Sequence, residues 1–213
     1  MKSNKYLDDI SEIKNMMSRS SRFISLSGLS GILAGIYSLI GFVIAQSRIK
    51  IYLEPKEVLE STQPIAINTA QLSIELFTIA IVVIIMATIT GILLSIRKAK
   101  QSDEKIWDVS SKRLAVNFLI PLVTGGIFCI ALLQENHVGL VAPVTLIFYG
   151  LACVNASKYT LGDVRYLGYA NILIGLIATQ FTGYGLYFWA LGFGVFHIFY
   201  GTRMYLKFDI KKI

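Results

Sequence analysis

The chain has 213 residues, of which 54% are hydrophobic and only 15% are charged, and its mean hydropathy is +0.63. This composition excludes an ordinary water-soluble domain and predicts a protein that lies mainly in the lipid bilayer. The formal net charge of +7 indicates basic loops at a membrane face, and it does not predict binding to nucleic acid.

Residues 1–22 precede the first apolar run and predict a cytoplasmic amphipathic helix. Apolar residues recur there at helical spacing, at Tyr6, Leu7, Ile10, Ile13, Met16 and Met17. Acidic residues come early and basic residues late, as the helix dipole favours. Such a helix either lies in the membrane interface under the bundle, which we prefer, or docks a cytoplasmic protein partner.

Six apolar runs follow this segment. About 20 apolar residues cross the roughly 30 Å hydrocarbon core as a helix, because a helix satisfies its own backbone polar groups. The runs lie at about 23–46, 72–95, 114–134, 138–157, 165–181 and 184–205. The sequence therefore predicts an all-α fold, with a bundle of six transmembrane helices at 23–207 and a short cytoplasmic tail at 208–213.

The segment 47–70 is the one sizeable connection on the predicted outer side. Its RIKIYLEP sequence alternates weakly in polarity, as a strand does, and it predicts a short cap over the bundle. The turns between the third and fourth runs, and between the fifth and sixth, are short. Each of these two pairs of runs predicts an antiparallel helical hairpin.

Lysine and arginine predict the orientation of the chain in the membrane. Seventeen of the twenty basic residues lie on one side if the N-terminus is cytoplasmic. The other three are Arg48, Lys50 and Lys56 in the outer segment. Basic residues accumulate on the cytoplasmic side of a membrane, so both termini are predicted to be cytoplasmic.

Small residues line one side of the first run. Ser27, Gly31 and Gly35 follow one another at four-residue spacing, which leaves that side nearly bare of bulk. Small residues allow two helix backbones to approach closely. The stripe predicts packing against another helix of the same chain, which we prefer, or a seam between copies in a homo-oligomer.

The third run contains Pro121, which has no backbone N–H. A carbonyl one turn earlier in the helix therefore loses its usual donor. Within a membrane that carbonyl must find another partner in the protein.

Four polar side chains from four different runs share a depth near the cytoplasmic boundary. They are Asn117, Asn155, Asn171 and His197. By helical rise, each lies within about 5–10 Å of that boundary. Buried polar groups in a membrane need partners, so these four predict hydrogen bonds between helices, which we prefer, or a cytoplasm-facing cavity for a bound or transported small molecule.

Cysteine and histidine predict neither a disulfide nor a cofactor. Cys129 and Cys153 fall at depths that differ by more than the roughly 7 Å that a disulfide allows between Cα atoms. His137 lies in the predicted outer turn, so it is badly placed to share a haem with His197. The sequence offers no metal-ligand cluster.

GlyLeuSerGly at 28–31 resembles the nucleophile motif of rhomboid proteases, which also have six spans and a histidine in the sixth. The resemblance implies Ser30 as nucleophile and His197 as base of an intramembrane serine hydrolase. This chain departs from the family because its serine lies in the first run and not the fourth. We therefore rank a hydrolase third among the possible functions and do not predict an enzyme.

The chain also resembles a family of small bacterial integral membrane proteins that has six spans and no assigned activity. The stretches that carry this resemblance are SSRFISLSGLSG at 20–31, LIPLVTGGIFC at 119–129, APVTLIFYGLACVNASKYTLGDVRYLGY at 142–169 and FWALGFGVFHIFYG at 188–201. The resemblance implies a multi-pass protein of the bacterial cytoplasmic membrane and gives no functional residues.

Three functions are therefore left open by the sequence. We expect a non-enzymatic sensor, regulatory or scaffold protein that acts through a cytoplasmic partner, since no convincing catalytic set or charged pathway is present. The alternative is a small-molecule transporter or ligand-binding protein that uses Asn117, Asn155, Asn171, His197 and Ser30. The hydrolase is the third.

Overall fold

A computed structural model describes residues 26–53, 69–102 and 106–209 of the chain. All regular secondary structure in these ranges is helical. The helices of the described part are α1 (Gly28–Leu53), α2 (Thr69–Gln101), α3 (Val109–Gln134), α4 (Val141–Ala156), α5 (Val164–Ala178) and α6 (185–209). The all-α prediction is confirmed for these ranges, whereas the amphipathic helix predicted at 1–22 lies outside them.

Four helical segments of the described ranges are long and apolar enough to cross a membrane. They are Gly28–Tyr52, Gln71–Gln101, Val109–Gln134 and Val138–Tyr159. The apolar helix α5 is shorter, with 15 residues. The lengths of α1 to α4 thus identify several membrane-compatible helices in one chain.

Helix α6 is continuous but not uniformly α-helical. It consists of the α-helical turns Gly185–Trp189 and Phe196–Met204, each followed by a π-helical segment, Ala190–Val195 and Tyr205–Asp209. A π turn holds an extra residue and shifts backbone hydrogen bonds to the fifth preceding carbonyl. The N–H of Phe196, for example, donates to the carbonyl of Leu191.

The strand-like cap predicted for the outer segment is wrong over residues 48–53, because α1 continues to Leu53. Arg48 Nε donates to a Glu75 carboxylate oxygen at 2.8 Å, and the Tyr52 hydroxyl donates to the other at 3.0 Å. Arg48 and Tyr52 are four residues apart, so a helix places them side by side on one face, whereas a strand would separate them by about 13 Å, too far to bind one carboxylate. The hydrogen bonds of Arg48 and Tyr52 to Glu75 in α2 favour the helix over the strand that the weak alternation in polarity predicted.

The helices pack in a defined order. α1 lies between α2 and α6, and α4 contacts α3, α5 and α6. α4 and α5 are in direct backbone contact, since a Cβ atom on Gly150 would lie 2.6 Å from the Gly168 carbonyl oxygen. Absence of side chains at these two positions is what lets the two helices approach.

The bare side of α1 packs on α6 of the same chain. A Cβ atom on Gly35 would lie 2.7 Å from the carbonyl oxygen of Gly194, and one on Gly31 would lie 3.1 Å from Gly201 Cα. Ser27, at the start of the stripe, donates to an Asp209 carboxylate oxygen at 3.4 Å. The stripe therefore packs against another helix of the same chain, which is the first of the two predicted arrangements. A homo-oligomer through the same three residues stays a prediction.

Three helix ends meet at Asp209, the last residue of α6. Its carboxylate accepts a hydrogen bond from the N–H of Gly28 at 3.0 Å and pairs with Lys98 of α2. Lys98 Nζ also donates to the Leu26 carbonyl at 2.8 Å. We call Asp209, Lys98 and Gly28 the Asp209 clamp. It supplies a partner to the first N–H of α1, which has none within its own helix.

Further polar contacts join the helices at both ends of the bundle. At the clamp end, Lys207 of α6 pairs with Asp163, the residue before α5, at 2.7 Å. At the opposite end, Gln46 of α1 donates to the hydroxyl of Tyr187 in α6 at 3.1 Å. α1 and α6 are therefore antiparallel neighbours from Gly28 to Gln46 of α1.

Gly201→Ala is expected to destabilise the bundle by about 1–3 kcal/mol, the usual cost of overpacking. A Cβ atom at Gly201 would lie 2.5 Å from Ile32 N and 2.8 Å from the Gly28 carbonyl oxygen, and backbone atoms cannot turn away. The measurement is denaturant unfolding of the purified protein in detergent. Gly91→Ala is the matched control, because no atom lies within 4 Å of its Cβ position. Equal losses for the two variants would contradict the packing described for α1 and α6.

Candidate functional site

The five residues predicted as a site are each engaged in hydrogen bonds with their own helix or a neighbouring one. Ser30 Oγ donates to the Ser27 carbonyl of its own helix at 2.6 Å, and both ring nitrogens of His197 are bonded to groups other than Ser30. The serine and histidine of the rhomboid resemblance therefore form no hydrogen bond. In this arrangement His197 is not positioned to take a proton from Ser30.

Asn155 satisfies the carbonyl that Pro121 leaves without a donor. The carbonyl of Asn117 lies four residues before Pro121 in α3, and Asn155 Nδ2 of α4 donates to it at 2.9 Å. The expected loss of a backbone partner at this proline is thus met by a side chain from the neighbouring helix. The Asn117 side chain is not part of this contact, since its Nδ2 donates to Arg113 in the same helix at 2.8 Å.

Asn171 of α5 is completely buried and only half satisfied. Its Nδ2 donates to the Leu167 carbonyl one turn earlier at 2.9 Å. Its Oδ1 accepts no hydrogen bond from the described residues. That oxygen faces Gly192 of α6, where a Cβ atom would lie only 2.6 Å away. Gly192 thus leaves the space that the Asn171 side chain fills.

His197 lies at the contact between α6 and α4, and both of its ring nitrogens are engaged. Nδ1 lies 2.9 Å from the Gly192 carbonyl oxygen, and Nε2 lies 2.6 Å from the Tyr149 hydroxyl. A carbonyl can only accept, so Nδ1 carries the hydrogen and Nε2 accepts from Tyr149. These two bonds fix the neutral tautomer of the imidazole and tie it to the π segment Ala190–Val195.

Aromatic and sulfur groups surround this pair. The Tyr149 ring contacts Phe118 edge-on at 6.0 Å between centroids and Phe193 at 5.0 Å. Cys153 lies four residues after Tyr149 in α4, and Tyr200 lies three residues after His197 in α6, so each shares a helix face with a member of the pair. The Tyr200 hydroxyl is buried and has no hydrogen-bond partner in the described ranges. We call Tyr149, Cys153, His197 and Tyr200 the α4–α6 polar cluster.

Sequence reasoning found His197 but missed its partner Tyr149. Tyr149 is in the middle of the predicted run 138–157. Its position could have indicated this contact, because a tyrosine far from either end of a membrane helix needs a hydrogen-bond partner for its hydroxyl. Cys153, four residues later, lies on the same helix face.

The described part of the bundle contains two notable grooves, and both are apolar. One follows α6 and the other lies between α1 and α2, and none of the five predicted site residues lines either groove. No group of three or more metal-ligating side chains (His, Cys, Asp or Glu) comes together in the described ranges. In this arrangement the five predicted site residues form hydrogen bonds within and between helices.

No protein-family model, curated protein or solved structure matches this chain. Within the described ranges, the class is defined by the fold itself: all regular secondary structure is helical, and four of the helices are long and apolar enough to cross a membrane.

Asn155→Ala is expected to lower the free energy of unfolding by about 1–2 kcal/mol, because it leaves the Asn117 carbonyl without a donor. The loss should shrink when Pro121 is replaced by alanine, since residue 121 then supplies the missing N–H. The measurement is a double-mutant cycle in detergent unfolding. Asn117→Ala is the control and should cost less, because its half-buried side chain bonds only its own helix. An undiminished Asn155→Ala effect in the Pro121→Ala protein would contradict this account.

Proposed function

We propose that the chain is a non-enzymatic membrane protein, a sensor, regulatory or scaffold subunit that acts by binding a partner protein at its cytoplasmic face. The observation that carries this proposal is that each of the five residues predicted as a site forms a hydrogen bond within the bundle. Asn155 and Asn171 donate to backbone carbonyls, and His197 uses both ring nitrogens inside the protein. Groups engaged in this way stabilise helix contacts and are not free for catalysis or translocation.

The proposal includes six transmembrane helices with both termini in the cytoplasm of a bacterium. Residues 185–209 of α6 extend for about 37 Å at 1.5 Å per residue, which exceeds the hydrocarbon core. The Gln46–Tyr187 contact at one end and the Asp209 clamp at the other support a course for α6 along the whole of α1. A helix that accompanies α1 from end to end crosses the same bilayer.

Helix α5 is included in the six although it is short. It extends for about 22 Å, less than the hydrocarbon core. Its contacts with α4 support the inclusion, since a Cβ atom on Gly168 would lie 2.7 Å from the Gly150 carbonyl oxygen and one on Gly175 would lie 3.0 Å from that of Pro143. α5 thus follows α4 closely over two helical turns.

The proposed partner-binding surface is centred on Trp107, in the cytoplasmic loop before α3. Its side chain is 69% exposed. The next residue, Asp108, caps α3: its carboxylate accepts from the Ser111 N–H at 2.7 Å, and its own N–H donates to the Ser111 hydroxyl at 2.8 Å. The cap holds the base of the Trp107 side chain in a defined position. Tryptophan is enriched among residues that dominate protein interfaces.

Basic residues flank Trp107 and favour an acidic partner. They are Arg97, Lys100, Lys112 and Arg113, at the end of α2 and the start of α3. Opposite charge on a partner would steer its approach and fix its orientation. Another occupant for an exposed tryptophan at this level is the lipid headgroup layer, and the experiment below separates the two.

A photo-crosslinking amino acid at position 107 is expected to capture one partner protein in native membranes. The same species should be captured from position 100, lost when both Lys112 and Arg113 are reversed to glutamate, and absent from position 137 in the outer turn. Mass spectrometry of the products is the measurement. Products that contain only lipid at positions 100 and 107 would contradict the proposal.

The second candidate is a ligand-binding protein or transporter with a wet cavity at the α4–α6 polar cluster. Two buried polar atoms favour it, the Oδ1 of Asn171 and the hydroxyl of Tyr200, because neither has a hydrogen-bond partner in the described part of the chain. Buried polar atoms are normally paired with protein or with ordered water. A solvated cavity would supply such partners.

Labelling of Cys153 distinguishes the two candidates. This thiol belongs to the polar cluster and is 2% exposed, so under our proposal it resists a membrane-impermeant maleimide until the protein is unfolded in SDS. The protein should carry Cys129→Ala, and Lys158→Cys in the same protein serves as an accessible control at the cytoplasmic end. The measurement is a gel shift in inside-out vesicles. Rapid labelling of folded Cys153 would favour the cavity.

A further inference from the structure

An elongated groove follows the lipid-facing side of α6. It has a volume of about 450 Å³ and is lined by Val195, Ile198, Phe199, Thr202, Arg203 and Leu206. The spacing of three and four residues places these side chains in one stripe along the helix. Phe199 and Leu206 are 71% and 55% exposed, so the stripe is not filled by the described helices.

The groove has the depth of one membrane leaflet. From Val195 to Leu206 the helix rises by about 16 Å, roughly half of the 30 Å hydrocarbon core. In the proposed topology the end of α6 at Asp209 is cytoplasmic. The groove then extends from the cytoplasmic headgroup layer to the middle of the bilayer.

The cytoplasmic end of the groove carries a free cation and a hydroxyl. Arg203 and Thr202 are both exposed, and Arg203 forms no ion pair with any described residue. The nearby charges are already committed, since Lys207 pairs with Asp163 and Asp209 pairs with Lys98. A guanidinium group matches two oxygens of a phosphate in its planar fork.

We propose that this groove binds an anionic phospholipid of the cytoplasmic leaflet. Its acyl chain lies along Val195, Ile198, Phe199 and Leu206, and its headgroup phosphate accepts hydrogen bonds from Arg203 and Thr202. The inference rests on the proposed topology, which places Arg203 at the headgroup layer, and not on the proposed partner. A net negative lipid is favoured because one unpaired cation faces the headgroup.

Lipid fits the groove better than the N-terminal segment of the same chain. Residues 1–22 precede α1 in the sequence and are the alternative occupant within this chain. Their acidic residues Asp8, Asp9 and Glu12 would enter hydrocarbon if the segment followed the stripe down to Val195. Charged side chains in the bilayer core are costly, whereas an acyl chain is not.

The test uses the purified full-length protein carrying Phe199→Trp, with Trp107 and Trp189 replaced by phenylalanine so that residue 199 is its one tryptophan, reconstituted without any partner. Its fluorescence is measured against brominated phosphatidylglycerol and brominated phosphatidylcholine. We expect half-maximal quenching at about fivefold less phosphatidylglycerol than phosphatidylcholine, from the contribution of one basic residue near a membrane surface. Adding Arg203→Gln should abolish the preference, and Arg165→Gln, an exposed arginine at the same end, should preserve it.

Three results would overturn the proposal. The first is equal quenching by the two lipids in the Phe199→Trp protein. The second is a preference for phosphatidylglycerol that survives Arg203→Gln. The third is quenching that begins only after residues 1–22 are removed, which would assign the groove to the N-terminal segment. None of these results bears on the crosslinking at position 107, so the two proposals fail separately.

Discussion

The need to satisfy every backbone polar group without water determines how this bundle is joined. The interior of a regular helix meets that need by its own backbone hydrogen bonds. At three places in the described chain where this pattern is interrupted, a side chain supplies the missing partner. Pro121 removes a donor, the π segment Ala190–Val195 shifts the backbone bonds of α6, and α1 begins with an unpaired N–H. The side chains of Asn155, His197 and Asp209, respectively, form hydrogen bonds with the backbone at these three places. Asn155 and Asp209 each bond the backbone of another helix. His197 bonds its own helix and also the hydroxyl of Tyr149 in α4. These hydrogen bonds therefore also join neighbouring helices.

Glycine supplies the other half of the architecture. Helices in lipid gain little from hiding apolar side chains from one another, so close backbone approach and interhelical hydrogen bonds carry more of the association. The bundle uses this twice, where α1 contacts α6 at Gly35 and Gly201, and where α4 contacts α5 at Gly150. α6 also contacts α4, which joins the two pairs into one body. α2 and α3 lie at the flanks, where α2 contacts mainly α1 and α3 contacts mainly α4.

The sequence was most informative where a single residue imposes a local requirement. The long apolar runs predicted the helices, and Pro121 predicted a carbonyl in need of a donor. The identity of that donor could not be predicted, because Asn155 is one of several asparagines at similar depth. The π segments of α6 left no signal in the periodicity. Without them, neither the bond from His197 to Gly192 nor the partnership of His197 with Tyr149 could be deduced. Helical continuation through Tyr52 was missed because it depends on Glu75, which lies in another helix.

The Asp209 clamp has a consequence for the order in which the chain matures. It joins the start of α1 to a carboxylate that is synthesised 181 residues later. At about 5–20 residues per second, the ribosome needs roughly ten to forty seconds to cover that distance. For this interval the first N–H of α1 lacks its partner, and Lys98, once it has been made, lacks the carboxylate of Asp209. Formation of the early helices and completion of the clamp are therefore separate events.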